Sequence, residues 1–152
     1  MALSLSRITR RPFQLSDDDD FKVCATDDLV IRFIRPKNFT TAEEALSYLN
    51  DVAIPTLEAD QYRRHRVCFG SSVLGQGIGT CAVKLAISSV FRDFPCMVQL
   101  QGLVDVENKA SHRVLEKAGF HREGVLRKYM VFKGKTRDFV IFSFFGTDPI
   151  IR

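Results

Sequence analysis

The 152-residue chain lacks tryptophan, lacks any Cys-x-x-Cys pair, and has no apolar run that approaches the roughly 20 residues of a membrane span. Its four cysteines are far apart, and its three histidines do not fall at metal-ligand spacing with them. We therefore expect reduced, structural cysteines in preference to a zinc site. The segment after Met1 has no long apolar stretch of the secretory type, so we expect a soluble intracellular protein, cytoplasmic or nuclear.

The composition is that of one ordinary globular domain spanning residues 1–152. Apolar residues make up 45% of the chain and charged residues 26%, and no repeat or low-complexity linker interrupts it. The 13 phenylalanines are interpreted as core residues. The net charge is +4, with basic clusters at 7–11, 63–66 and 133–137. Such clusters are usually solvated faces, but they also suit a polyanionic ligand or RNA.

Two polar segments in the first half predict helix starts. Ser16 offers an N-cap, with Asp17–Asp20 in the first turn. A calcium loop is the alternative, but the acidic run lacks the alternating ligands and the glycine of an EF-hand. Thr41-Ala-Glu43-Glu44 is a capping-box pattern, and Pro55 ends the predicted helix. Strands are predicted near residues 5–13 and 67–73.

The second half predicts alternating helices and strands. The helices cover about 78–91 and 108–118, and the strands about 97–106, 125–132 and 139–145. Ile78, Ala82, Leu85 and Ser89 mark one face of the first helix. Lys133-Gly134-Lys135 is a hairpin turn between the last two strands. The final strand is apolar on both faces and is therefore expected to be central in the sheet.

The glycine-rich segment that precedes the first of these helices suggests an anion site. Its residues are Gly75, Gln76, Gly77, Ile78, Gly79 and Thr80. Alternate glycines let backbone N–H groups point at one spot, and a helix N-terminus adds unpaired N–H groups and the positive end of its dipole. Thr80 breaks the dinucleotide fingerprint, and Gln76 stands where a Walker loop needs lysine. A plain turn before a helix stays the alternative.

A second signal follows the 97–106 strand. Asn108 is placed to cap the next helix, and Ser111 lies one turn later on the same side. Lys117-Ala118-Gly119-Phe120 then ends that helix at a glycine. A simple N-cap with a polar first turn is the alternative interpretation.

The order of these motifs resembles the GCN5-related N-acetyltransferase (GNAT) superfamily, and within it the branch of ribosomal-protein N-terminal acetyltransferases and their plant relatives. Gly77 and Gly79 match the family's loop pattern, whereas Leu74 stands at its first position. The resemblance implies an α/β (α+β) fold with a mixed central sheet and helices on both faces. It also implies binding of acetyl-coenzyme A and no metal. The backbone of the glycine segment Gly75–Thr80 would hold the pyrophosphate, while Asn108 and Ser111 would contact the pantetheine arm.

The resemblance also implies transfer of an acetyl group from acetyl-coenzyme A to a primary amine, on a protein N-terminus, a lysine or a small molecule. Many relatives carry a tyrosine seven residues after the asparagine, but this position is Leu115. Ser111 is therefore the implied proton donor to the leaving thiolate. Tyr129 is the second candidate, with a core-packing role as its alternative. Asp105 and Glu107 lie near the strand end, and neither is assigned as the base.

One segment is shorter than the family pattern. Relatives place three strands between their second helix and the glycine loop, which need roughly 19 residues with tight turns. Residues 61–74 fill that space here, so we expect an internal deletion near 61–75. Two functions stay open: an N-acetyltransferase of reduced efficiency, or an impaired domain that binds coenzyme A weakly or serves as an interaction module. RNA binding through 63–66 is less favoured, because no stacking aromatics accompany that patch.

Overall fold

The computed structural model describes residues 77–150 continuously, and before them Gly75 and residues 15–17, 19, 23, 27, 32–33, 41, 43–44 and 47. The chain divides into two compact units, Thr9–Gly75 and Gln76–Arg152 with Met1–Ile8. The strands predicted near 5–13 and 67–73 and the short segment 61–74 lie outside the described residues.

In the Thr9–Gly75 unit, the first helix start differs slightly from the prediction. Leu15–Asp17 forms a 3-10 helix, and the backbone is helical again at Asp19 and Val23. Ser16 therefore lies inside the tight first turn instead of capping it. The prediction of Ser16 as the N-cap is wrong, because the turn begins one residue earlier, at Leu15.

The second predicted helix start in that unit is confirmed. The Glu44 backbone N–H donates to Oγ1 of Thr41 at 3.2 Å, as a capping threonine requires. The backbone is helical at Glu43, Glu44 and Ser47.

Residues 77–150 of the second unit form two helices and three strands. In chain order these are α1 (Ile78–Asp93), β1 (Gln99–Asp105), α2 (Lys109–Ala118), β2 (His121–Phe132) and β3 (Lys135–Phe145). The three strands form an antiparallel sheet in the order β1-β3-β2, so β3 is central, as its two apolar faces predict. Both β2 and β3 begin before their predicted starts at 125 and 139, because ladder pairing continues through polar residues that break the apolar pattern.

The hairpin between β2 and β3 turns on two residues. Phe132 pairs with Lys135, which leaves Lys133 and Gly134 as the turn, with φ angles of 49° and 74°. Two consecutive positive φ values are typical of a type I′ hairpin turn. Lys135 therefore belongs to β3, which corrects the predicted three-residue turn.

Strand β2 departs from regular pairing beyond Leu126. Leu126 pairs with Phe139 and Met130 with Arg137, so three residues of β2 face the single β3 residue between them, Asp138. These three residues, Arg127, Lys128 and Tyr129, are called the β2 bulge below. The Lys128 backbone N–H donates to Oδ1 of Asp138 at 2.7 Å, and the φ angle of Lys128 is 50°. A bulge of this kind redirects side chains away from the sheet's regular alternation.

The core lies between the two helices and one face of the sheet. Its buried members are Ile87, Val104, Ala118, Phe120, Val140, Phe142 and Phe144, with Val83, Phe91, Leu100, Val106 and Leu115 packed against them. The face of α1 marked by Ile78, Ala82, Leu85 and Ser89 is half-buried. The α1 positions in or against the core are Val83, Ile87 and Phe91, which recur at helical spacing on another face.

Candidate functional site

The start of α1 has the backbone geometry of an anion site. Gly77 is the N-cap residue, with φ 79° and ψ −1°, and no side chain caps the helix. The first intrahelical bond runs from the Cys81 N–H to the Gly77 carbonyl at 3.1 Å, so the N–H groups of Ile78, Gly79 and Thr80 precede the helix ladder. A left-handed residue followed by a right-handed one forms a concave nest of N–H groups that suits a phosphate.

The glycines of the predicted loop differ in what they contribute. Gly75 and Gly77 both have left-handed backbones, with φ of 81° and 79°. A Cβ on either would meet nothing within 4 Å, so these positions need glycine for backbone conformation and not for space. Gly79 lies inside the first turn of α1, where any residue can adopt the helical backbone. Gln76 lies outside the described residues.

The start of α2 is capped by its own asparagine. Oδ1 of Asn108 accepts a hydrogen bond from the Ser111 backbone N–H at 3.1 Å. This confirms the N-cap prediction and occupies one polar atom of the Asn108 side chain. The Nδ2 group of Asn108 is not part of that bond, and Ser111 is half-buried in the first turn. A contact of either side chain with a cofactor stays a prediction.

Both helices begin at the same end of the sheet. Phe91 near the end of α1 packs against Phe144, with ring centroids 6.1 Å apart, and Gly119 after α2 also lies beside the Phe144 ring. From there the two helices run back about 20 Å and about 15 Å to their first residues. Leu100 pairs with Phe144, and Asp105 lies about 17 Å further along β1. The two N-termini are therefore level with the end of β1.

This arrangement directs the positive ends of two helix dipoles toward one end of the sheet. Each N-terminus is equivalent to roughly half a positive charge, and unpaired N–H groups favour phosphate there. The start of α1 offers backbone donors without a side-chain cap, whereas the start of α2 adds the amide of Asn108 and the hydroxyl of Ser111. Together they suit a ligand with a charged phosphate portion and a polar, uncharged arm.

A charged cluster closes the same end of the sheet. Asp105 is 6% exposed, and its Oδ1 accepts from the Glu107 backbone N–H at 2.8 Å. Nη1 of Arg137 lies 3.5 Å from Oδ2 of Asp105 and 2.6 Å from Oε2 of Glu107. Asp105, Glu107 and Arg137 are called the β1-end cluster below. Both carboxylates form ion pairs with the same guanidinium, and neither is assigned as the base.

Sequence reasoning missed two residues at this end, Arg137 and His112. Nε2 of His112 lies 3.0 Å from the Asp105 carbonyl oxygen. The His112 and Phe142 rings are packed edge to face, with their centroids 5.5 Å apart. His112 thereby ties the first turn of α2 to the end of β1. No local pattern identifies either residue, because Arg137 reaches Asp105 only through the pairing of β1 with β3.

The structure also shows the surroundings of Tyr129, the second candidate for proton donor, and of Leu115, which stands at the family's tyrosine position. Tyr129 is 47% exposed on the β2 bulge, and its ring lies 5.8 Å from that of Phe139. Its interpretation as a core residue is therefore wrong, while no described contact joins it to Asn108 or Ser111. Leu115 packs against the core, with Cδ1 only 2.8 Å from where a Cβ would stand on Gly102.

In the part of the chain that the structure describes, no three His, Cys, Asp or Glu side chains group together in a way that could hold a metal ion. No helix in that part is long and apolar enough to cross a membrane.

Comparison with known proteins bears on both fold and family. A family model described as an acetyltransferase (GNAT) domain matches residues 63–121. The chain is 36% identical over 74 residues to the probable N-acetyltransferase YjcK of Bacillus subtilis (strain 168). That match covers 49% of this chain and 40% of the curated relative, so the chain spans less than half of that protein's length.

Solved structures resemble most of the chain. An acetyltransferase (GNAT family) from Bacillus anthracis superposes with a TM-score of 0.73 and 17% identity, over 89% of this chain and 92% of that one. RimL, a ribosomal L7/L12 alpha-N-protein acetyltransferase in complex with coenzyme A, superposes with a TM-score of 0.74 and 14% identity, over 89% of this chain and 92% of that one. The predicted fold class is thereby confirmed as a mixed α/β, GNAT-like fold with an antiparallel sheet and helices. The family model matches residues 63–121, which is less than half of the chain, and these two structures, at 17% and 14% identity, show a likeness of fold.

Proposed function

We propose that this chain is an N-acetyltransferase that transfers the acetyl group of acetyl-coenzyme A to a primary amine. The observation that carries this proposal is the pair of helix N-termini at one end of the sheet. Both N-termini lie inside the segment 63–121 that matches the GNAT model. The ribosomal-protein branch and a plant relationship are part of the proposal, supported by the motif order and by the likeness to RimL.

The residues at the two helix starts fit this ligand. The nest at Gly77 and the first N–H groups of α1 offer donors for a pyrophosphate. The Nδ2 group of Asn108 can donate to a carbonyl of the pantetheine arm while Oδ1 keeps its capping bond to Ser111. Gly75 and Gln76 complete the predicted pyrophosphate segment in sequence.

Acetyl-coenzyme A supplies a thioester, and the side chains have to manage two protons. Ser111 holds a proton at Oγ for the departing sulfur, and a thiol of pKa near 8.5 needs only modest help at neutral pH. Tyr129 is the second candidate for this role. Its distance from the start of α2 by two strands of the sheet favours Ser111.

The proposed acceptor is an α-amine or a small-molecule amine. Deprotonating a lysine near pKa 10.4 costs about 4.6 kcal/mol at pH 7, whereas an α-amine near 7.8 costs about 1 kcal/mol. Asp105 and Glu107 are both ion-paired with Arg137, and neither is assigned as the base. An acceptor that needs little deprotonation fits a site without an assigned base, with water carrying the proton away.

The second candidate is a domain that binds coenzyme A without efficient turnover. The observation that favours it is the short segment 61–74, which has room for fewer strands than the family pattern requires. Both candidates need the cofactor site, and they differ in whether an acetyl group leaves it.

The binding test is a thermal melt with and without acetyl-coenzyme A. At 100 times its Kd the ligand should stabilise the protein by about 2.7 kcal/mol, equivalent to a Tm rise of about 5–10 °C for a chain of this size. Gly77→Ala should reduce the rise, because the left-handed backbone at φ 79° disfavours any residue with a Cβ. Gly124→Ala is the matched control, since a Cβ there meets nothing within 4 Å and φ is not positive. No rise in the unmodified protein would refute both candidates.

The turnover test measures thiol release with a panel of N-terminal peptides and small amines. Ser111→Ala should lower kcat about a hundredfold, the lower end of general-acid contributions. The Tm rise with acetyl-coenzyme A should fall only in part, because Ser111 is one of several proposed contacts to the cofactor. Ser88→Ala is the control, because Ser88 is exposed on α1 and bonds only its own helix at Lys84. A thermal rise with no thiol release from any amine favours the second candidate, and unchanged turnover in Ser111→Ala rules out this proton donor.

A further inference from the structure

The β2–β3 hairpin carries the net charge of the whole protein. Residues 121–138 contain six basic and two acidic side chains and so have a net charge of +4, the same as the complete chain, which leaves zero for all other residues. The basic residues are Arg122, Arg127, Lys128, Lys133, Lys135 and Arg137, and the acidic ones are Glu123 and Asp138. The concentration of charge in this short segment distinguishes the hairpin from an ordinary solvated face.

The acidic residues of the hairpin are turned to internal partners. Glu123 accepts a hydrogen bond from Oγ of the buried Ser143, and Asp138 accepts the Lys128 backbone N–H at 2.7 Å. The side chains of Arg127, Lys128 and Lys135 are exposed. The hairpin therefore presents more positive than negative charge to solvent, although Glu123 is exposed as well.

A concavity beside the β2 bulge gives this surface a shape. It measures about 600 Å³ and is lined by Val125, Leu126, Arg127, Lys128, Tyr129 and Asp138. That volume is within the usual range of ligand pockets, about 300–1,000 Å³. Val125 and Tyr129 are 44% and 47% exposed, so the lining offers apolar as well as cationic contacts. This mixture suits a short polypeptide better than a bare anion.

The concavity lies close to the end of β1 that leads into Asn108. The Val106 backbone N–H donates to the carbonyl of Asp138 at 3.1 Å, and Arg137 contacts Glu107. The bulge is two strand positions from β1, which corresponds to about 10 Å. An extended segment held at the bulge can thus reach the start of α2 with a few residues.

We propose that the β2 bulge and its basic side chains bind an acidic polypeptide segment that carries the acceptor amine, an inference that rests on the proposed acetyl transfer. Charge complementarity selects an acidic partner, and the exposed valine and tyrosine add apolar contact. Single-stranded RNA fits less well, because RNA-binding sheets stack bases on two or three aromatics. Within the described hairpin, the exposed phenylalanine and tyrosine rings are Tyr129 and Phe145, and Phe145 lies seven residues further along β3 than Asp138, which faces the bulge. The two rings are therefore too far apart to stack successive bases, and Tyr129 packs against Phe139.

The test is fluorescence anisotropy on the full chain at low and at physiological salt, without acetyl-coenzyme A. The probes are a labelled peptide with a free N-terminus and alternating glutamates, its glutamine analogue, and a single-stranded oligouridylate of equal charge. The hairpin variant is Arg127→Gln with Lys128→Gln. The matched control is Arg113→Gln with Lys117→Gln, which removes the same charge from exposed positions on α2. A thermal melt checks that both variants fold.

The acidic peptide should bind more tightly than its glutamine analogue. The hairpin variant should weaken that binding about 2- to 30-fold, as expected for two exposed ion pairs, and the control by less than about twofold. Equal losses in both variants, or equal binding of the two peptides, would overturn the proposal. Tighter, hairpin-dependent binding of the oligouridylate would assign the surface to nucleic acid and overturn it too.

The two proposals fail separately. A protein that acetyl-coenzyme A stabilises but that does not distinguish the two peptides keeps the acetyl transfer and loses the acidic acceptor. Hairpin-dependent peptide binding with no effect of acetyl-coenzyme A on the melt removes the acetyl transfer, and with it the acceptor role of the peptide. In an active protein, the hairpin variant should raise the KM for the acidic peptide and leave the KM for acetyl-coenzyme A unchanged.

Discussion

Replacing Arg137 by methionine removes the cation that stands between two carboxylates. Nη1 of Arg137 lies 3.5 Å from Oδ2 of Asp105 and 2.6 Å from Oε2 of Glu107. The Asp105 side chain is 6% exposed and that of Glu107 is 54% exposed, so the two ion pairs contribute differently to the free energy of unfolding. An exposed pair contributes about 0.2–1 kcal/mol, whereas removing one partner of a buried pair costs about 3–5 kcal/mol.

Three features of the cluster lower the expected cost below that range. The Arg137 side chain is 25% exposed, so water screens part of its charge. Asp105 retains the Glu107 backbone N–H at 2.8 Å after the substitution. Nε of Arg137 is buried without a hydrogen-bond partner among the described residues, and its removal relieves a desolvation cost. We therefore expect Arg137→Met to lower the free energy of unfolding by about 2–3 kcal/mol.

The measurement is urea unfolding of a double-mutant cycle, with the free energy extrapolated to water. Asp105→Asn is the second substitution, because it removes the charge and keeps Oδ1 as acceptor for the Glu107 N–H. The double variant should be about 1–2 kcal/mol more stable than the sum of the two single effects predicts. Strict additivity, or a loss below about 0.5 kcal/mol in Arg137→Met, contradicts a structural ion pair here.

Three further substitutions are predicted from the same geometry, each read out by urea or thermal unfolding. Gly102→Ala should lower the free energy of unfolding by about 1–3 kcal/mol, because its Cβ would stand 2.8 Å from Cδ1 of Leu115. Adding Leu115→Val should recover part of this loss, and no recovery would mean that the contact with Leu115 is not its cause. Asn108→Ala should lower the free energy of unfolding by about 1 kcal/mol because the helix cap is lost, whereas Asn108→Asp should keep the cap. Equal losses of stability in the two variants would contradict a capping role. Lys133→Gly should stabilise the protein by up to about 1 kcal/mol, since Lys133 has a φ angle of 49° in the hairpin turn. A destabilised variant would show that the turn tolerates lysine without strain.

The features that the sequence predicts well are those that a short stretch of backbone determines. Asn108 caps α2, and Gly119 ends it with a left-handed φ of 100°. Lys133 and Gly134 form the hairpin turn, and β3 is the central strand because both of its faces are apolar. In each case a local pattern of capping, turn or hydrophobic residues is sufficient, and the tertiary structure adds nothing that could reverse it.

The features that the sequence predicts poorly depend on which elements pack together. Helix α1 has apolar residues on more than one side, so spacing alone did not identify Val83, Ile87 and Phe91 as the face toward the core. Tyr129 alternates like a core residue, but the β2 bulge shifts the register and leaves it 47% exposed. Arg137 finds Asp105 through a strand pairing that no local pattern encodes.

The segment from Asp105 to Asn108 connects the proposed acceptor surface with the proposed cofactor site. The hairpin contacts it through Arg137 and through the Asp138 carbonyl, and α2 contacts it through His112. The same short segment ends in the asparagine that caps α2. A polypeptide bound at the β2 bulge would therefore lie beside residues that contact the backbone leading to Asn108. If the two sites are coupled in this way, linkage requires each ligand to change the other's affinity by the same factor. Arg137 supplies the side-chain contact between the hairpin and this segment. Its replacement should therefore reduce the effect of the polypeptide on acetyl-coenzyme A affinity and the effect of acetyl-coenzyme A on polypeptide affinity by the same factor, even where each ligand still binds alone.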